Sequence, residues 1–324
     1  MSKRDLIEQA LEKLAGLKSA PATPALFDEL RSFLRNRSNL VVAKAAKIAG
    51  ERRLGDLMPE LVAAFHRLMA DPARLDKRCA ALTEIVSSLF ETDYSEPDVY
   101  LQGIRHVQME GSFGPPVDTA AQLRGFSAQG LVRTRHPDAL VEAVTLLVDP
   151  EPPARIGAVR ALAANGGEAG FLALRLKVLT GDRVPDVLAE CFSGLLDSRS
   201  GNSVDFVATY VDDEDPAIAE AAVLALGASR SSKAILVLKD KWQRTIRRPL
   251  KKVLLFALST SRNEDALQFL LDLLETAPLS TATEVLSSLA SQRPTQSIRD
   301  SMHSALARRG DPSLLTALRS AFPA

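Results

Sequence analysis

Four histidines (His66, His106, His136, His303) and two cysteines (Cys79, Cys191) are the residues on which a metal site or a nucleophilic centre would first draw, and they are scattered through 324 residues. His106 and Glu110 stand four apart, the spacing that puts two ligands on one helix face, but no third ligand stands beside them. The cysteines form no CxxC pair and are too few for a disulfide framework. Asn165-Gly166-Gly167 reads as a turn between helices, and no glycine-rich phosphate loop occurs. The expectation is a chain without metal, cofactor or enzymatic activity, its weakest alternative a site formed by Arg105, His106 and Asp118.

Two other groups could recognise a ligand. Between Arg230 and Lys252 stand nine basic residues against one acid, Asp240, and Lys241, Arg244, Arg247, Arg248, Lys251 and Lys252 are dense enough to grip phosphates or an acidic tail. The preceding acids Asp205, Asp212, Asp213, Glu214, Asp215 and Glu220 could instead absorb much of that charge. Trp242 sits where other repeats carry Val178, Val211 and Leu274, so it reads as core rather than as a stacking platform. The second group is a segment, 91–116, holding Tyr94, Tyr100, Arg105 and His106, with Phe113 inside the turn-rich run Gly111 to Pro116. It reads either as a binding insertion or as a longer connection whose aromatics plug a gap.

These residues are positioned by a repeat. Leu131, Leu162, Leu195, Leu226, Leu258 and Leu289 recur at intervals of 31, 33, 31, 32 and 31 residues, each after a small residue. Apolar triplets such as Leu140/Ala143/Leu147 and Leu267/Leu270/Leu274 follow at helical spacing and mark a second helix. Thirteen residues before each leucine stand Asp118, Asp149, Asp182, Asp213, Thr245 and Thr276, acceptors for free N–H groups at a helix start. Four residues after it stand Arg135, Arg199, Arg230, Arg262 and Arg293, with Gly166 as the exception, where a cation suits the carbonyl end of a helix. Each unit is therefore two antiparallel helices that bury their apolar stripes only by stacking on neighbours.

The segment Asp149 to Arg155, leading into Ala158-Val159-Arg160-Ala161-Leu162, resembles the HEAT repeat, in particular the short bacterial type also found in bilin lyases. The likeness runs clearly over 117–293 and loosely over 39–90. It implies an all-α solenoid, an armadillo-type right-handed superhelix of about eight or nine antiparallel helix pairs. Arg124, Arg155 and Lys251 fall on the family's basic position, while Leu188, Ala219 and Ala282 occupy it elsewhere, which weakens the expected Asp–Arg ladder. HEAT-like hydroxylases carry repeated His-Glu pairs, and this chain has no His-Glu dipeptide. The expected organisation is a helical cap over 1–38, irregular repeats over 39–110, a Gly/Pro-rich break at 111–116, regular repeats over 117–293 and a helical cap over 294–324, in one continuous solenoid.

In HEAT proteins the first helix of each pair lines the concave side. Positions nine, five and two before each leucine share that face and include Gln129, Arg160, Leu224, Val253 and Phe256. Leu224, Val253 and Phe256 would make an apolar strip for an amphipathic helix or an extended peptide, or be buried by twist against the adjacent unit. With 40 basic and 40 acidic residues the chain has no global field to hold a polyanion. The expected function is that of a cytoplasmic scaffold or adaptor binding another protein, with nucleic acid as the alternative partner through the basic cluster. No membrane partner is expected, since no run approaches 18 apolar residues.

Overall fold

The computed structural model describes residues 3–111, 114–198 and 202–322. Among them the fold is all-α and solenoid-like. The helices are α1 (Lys3–Leu17), α2 (Pro24–Leu34), α3 (Asn39–Glu51), α4 (Met58–Met69), α5 (Pro72–Leu75), α6 (Ala80–Glu91), α7 (Pro97–Ile104), α8 (Ala121–Arg133), α9 (Ala139–Leu146), α10 (Pro152–Asn165) and α11 (Gly167–Thr180). They continue as α12 (Pro185–Asp197), α13 (Ser203–Ala208), α14 (Pro216–Ala228), α15 (Ser232–Arg244), α16 (Arg248–Thr260), α17 (Glu264–Thr276), α18 (Leu279–Ser291), α19 (Gln296–Arg309) and α20 (Pro312–Ala321). The packing divides the chain into two compact units, Met1–Leu176 and Lys177–Ala324.

The repeat leucines are all buried. They sit near the C-terminal ends of α8, α10, α12, α14, α16 and α18, the first helices of the predicted pairs. Proline at the first or second position starts α10, α12, α14 and α16, where a missing N–H costs nothing and the fixed φ already suits a helix. The acceptors thirteen residues upstream do not cap these helices. Asp118, Asp149, Asp182 and Asp213 accept instead from the N–H two residues on (2.8–2.9 Å), closing a turn that aims the chain into the helix. Thr245 does the same for Arg247 N–H at 3.2 Å.

The arginines after the leucines have a different role from the one their charge implies. Arg135, Arg230, Arg262 and Arg293 have φ between 50° and 57°, and Arg53 (51°) and Asp93 (62°) at the ends of α3 and α6 also have positive φ. Gly166, the apparent exception, has φ 61°. Each of these positions carries a positive φ just past a helix end, so backbone conformation rather than the dipole defines it, and Gly166, at ψ −176°, sits in a region open only to glycine. Arg199 lies outside the described residues.

In the first unit α3 packs on α6, α6 on α8 and α8 on α10. The tightest crossing is glycine on glycine: a Cβ on Gly157 of α10 would overlap Gly125 Cα of α8. In the second unit α12, α14, α16, α18 and α20 form one row, and α13, α15, α17 and α19 form the other. The segment 91–116 contributes α7 and one strand of a short antiparallel hairpin, β1 (Met109–Glu110) with β2 (Val117–Asp118), which the sequence did not announce. No helix among the described residues is long and apolar enough to cross a membrane.

Candidate functional site

Three groups of predicted residues can now be placed. The first is the face of the first helices. In the first unit, Gln129 and Arg160 line a shallow cavity of about 260 Å³ between α8 and α10, together with Gln122, Phe126, Pro153 and Ile156. The Gly125–Gly157 contact draws the two helices close, so these flanking side chains form the walls. In the second unit the strip lies on α14 and α16. The buried residues of α16 are Leu250, Leu254, Leu255, Ala257 and Leu258, which turns Val253 and Phe256 away from the core. Phe256 is 44% exposed, and Leu224 and Val253 are half-buried, so twist does not bury the strip. Lys252 beside it reaches Glu284 of α18 at 3.9 Å.

The second group, the aromatic segment, is built into the scaffold. Tyr100 is fully buried, its ring filling the space left by Gly130 of α8, and its hydroxyl donates to Tyr94 C=O at 3.1 Å. Burial pushes the Tyr100 phenol well above its ordinary value. Tyr94 packs against it at 6.1 Å between ring centres. Tyr100 therefore plugs a gap and is not a contact surface. Arg105 is paired with Glu142, and His106 bonds Gln108 Oε1 at 3.1 Å. Phe113 lies outside the described residues.

Around that segment stands a polar knot that sequence reasoning saw only in pieces. Asp76 is fully buried and accepts from Asn39 Nδ2, Ala81 N–H and Leu82 N–H at 2.8–2.9 Å. Gln108 Nε2 donates to Asp76 C=O at 2.8 Å and to Glu110 at 2.6 Å, and Arg78 N–H donates to Glu110 at 2.5 Å. Arg124 donates to Asp118 at 2.7 Å, to both oxygens of Asp149 at 2.9 Å and to His106 C=O at 3.0 Å. Burial alone would raise the Asp118 carboxyl, but the Ala120 and Gln108 N–H groups and Arg124 together hold it below its ordinary value. The Asp–Arg ladder of the resemblance is thus present at Arg124. Arg105 takes no part in the knot; His106 and Asp118 are committed to these hydrogen bonds.

The third group, the basic cluster, is answered by acids at three of its six residues, Lys241, Arg244 and Lys252. Lys241 pairs with Asp212, Arg244 with Asp240 at 2.8 Å, and Lys251 lies 4.8 Å above the Trp242 ring. Burial, then the charge of Arg247, pulls Lys241 below the ordinary lysine value. Arg247 and Arg248 are exposed beside Ile246, which is 92% exposed. Trp242 is half-buried, edge-on to Phe269 at 5.7 Å.

One feature escaped the sequence reading. The outer faces of α9 and α11 expose Val141, Val144, Leu172 and Leu176, and Val148 just past the end of α9 is exposed beside them. Its signal was present in α11, where apolar residues fall on every side rather than on one stripe.

No family model matches the chain, and no curated protein matches its sequence. Among solved structures, human deoxyhypusine hydroxylase in complex with glycerol matches at 16% identity and TM-score 0.31, over 78% of this chain and 89% of that one. An engineered protein matches at 16% identity and TM-score 0.37, over 97% and 93%. These are coarse likenesses of helical architecture, the former to a HEAT-like fold. They correct one expectation: the former neighbour is an enzyme, so a helical stack of this coarse kind does not set catalysis aside.

Proposed function

We propose that this chain is a short-repeat HEAT-like solenoid that binds a segment of another protein on the face of its first helices, with Phe256, Leu224 and Val253 as anchors. The supporting observation is the 44% exposure of Phe256 on α16, beside half-open aliphatic side chains and within reach of the charges of Lys252 and Glu284. A large aromatic anchor between aliphatic neighbours and a charged rim is the arrangement by which a helix or strand of a partner is held. The ion pairs within the basic cluster weigh against the nucleic-acid alternative, because a phosphate backbone would have to displace them.

The test replaces Phe256 with p-benzoylphenylalanine and irradiates the protein in native extract, with Leu236 on α15, 65% exposed, as the control position. A discrete protein adduct at 256, lacking at 236 and competed by the unmodified protein but not by Phe256→Glu, is the expected result. Equal adducts at both positions, none at 256, or full competition by Phe256→Glu would overturn the proposal.

A further inference from the structure

In the second unit a cavity of about 540 Å³ opens between α16, α17, α18 and α19. Its floor is aliphatic: Leu258, Leu267, Leu270, Leu289 and Ile298. Ile298 of α19 and its repeat counterpart Leu267 of α17 are both half-buried, lining the space rather than filling it. At this volume, with an apolar lining and a few polar groups, it falls in the range that holds a small molecule.

The rim is cationic. Arg262 and Arg293 line it, both exposed, and neither makes an ion pair among the described residues. Each follows the last turn of a first helix in the left-handed conformation, at φ 52° and 50°. The cavity also meets the starts of two second helices. Asn263 satisfies the first N–H groups of α17, but Thr295 makes no side-chain bond to those of α19. Glu264 is the one acid on the rim, leaving a positive balance together with the open amide end of α19. An aliphatic floor asks for a hydrocarbon body. Two guanidinium groups and free N–H donors ask for a carboxylate, which can accept from both.

We infer that this cavity binds an aliphatic carboxylate, its chain on the Leu/Ile floor and its head group held by Arg262 and Arg293. The test titrates the full chain with dodecanoate below its micelle concentration, by calorimetry, with dodecanol and acetate as probes lacking the charge or the chain. Arg262→Gln/Arg293→Gln removes the head-group contacts at two exposed positions, and Ile298→Trp fills the space; a thermal melt verifies that each variant folds. Saturable uptake of one dodecanoate, weakened about tenfold or more in the arginine double variant and lost in Ile298→Trp, is expected, with no saturable uptake of dodecanol or acetate. Absence of saturable uptake up to about 1 mM, equal affinity in the double variant, or equal affinity for dodecanol would overturn the inference. If Ile298→Trp does not fold, the double variant decides alone.

Discussion

Replacing Arg124 with methionine is the sharpest perturbation of the first unit. The guanidinium side chain is only 4% exposed, and its partners Asp118 and Asp149 are 8% and 11% exposed. Methionine keeps the packing of the stem but removes the cation, leaving two nearly buried carboxylates facing an apolar group and the His106 carbonyl without its donor. Breaking a buried pair from one side costs about 3–5 kcal/mol. The backbone donors that remain on Asp118 and Asp149 soften the loss, which places the expected cost at about 3–4 kcal/mol. In a unit of this size that lowers the melting temperature by on the order of 10 °C. A urea melt followed by circular dichroism reads the magnitude, and hydrogen exchange locates it in α8 and α10. The pH dependence carries a sign. The folded carboxyl of Asp118 is held below its unfolded value, so its contribution is present above about pH 4 and lost as pH falls through the lower folded pKa. In the variant Asp118, without Arg124, favours protonation, so the gap from wild type narrows as pH falls from 7 toward 4. A loss under about 1 kcal/mol, or a gap independent of pH, would refute the reasoning.

The left-handed helix ends predict that Arg135→Gly leaves stability equal or raises it by about 0.5 kcal/mol, while Arg135→Val lowers it by about 1–2 kcal/mol; equal melts for the two would remove the conformational explanation. Gly157→Ala drives a methyl into Gly125 and costs about 2–3 kcal/mol by chemical denaturation, against a few tenths of a gain for the same change at an open helical glycine, Gly16. Tyr100→Phe loses one hydrogen bond and about 1 kcal/mol, whereas Tyr100→Ala empties the space above Gly130 and costs about 3–5 kcal/mol; a thermal melt unmoved by the alanine would restore Tyr100 to the surface. Phe256→Glu leaves the melt within about 0.5 kcal/mol of wild type while failing to compete for the photo-adduct at 256, and a large loss of stability would make Phe256 a core residue instead.

The repeat leucines and their 31- to 33-residue period made the helices legible, because every helix of this kind must hide one stripe and a leucine near its end does so in each unit. What the same positions could not convey was backbone conformation. An arginine four residues on reads as a charge, and its left-handed φ shows in the sequence only through Gly166, which occupies the same register and was set aside as an exception. Tyr100 was ambiguous for a related reason: the vacancy it fills belongs to Gly130, thirty residues away, and one sequence does not pair a large residue with a distant missing side chain. The strip of Leu224, Val253 and Phe256 was named from helical spacing, but its openness depends on how far α14 and α16 are rotated against each other, which spacing leaves undetermined. The cavity was hidden because its walls come from four helices, and spacing along one helix does not say how far its neighbours stand from it.

The ties of Arg124 also order events during synthesis. Asp149 lies 25 residues downstream of the arginine it binds, so a chain emerging at about 5–20 residues per second exposes the cation for one to five seconds before its second carboxylate arrives. Through that interval α8 has Asp118 and the His106 carbonyl as partners, and the docking of α10 on the Gly125 face completes the charge balance and the helix contact together. The turn at Asp149 is therefore the last of the Arg124 partners to be made, and it arrives together with α10.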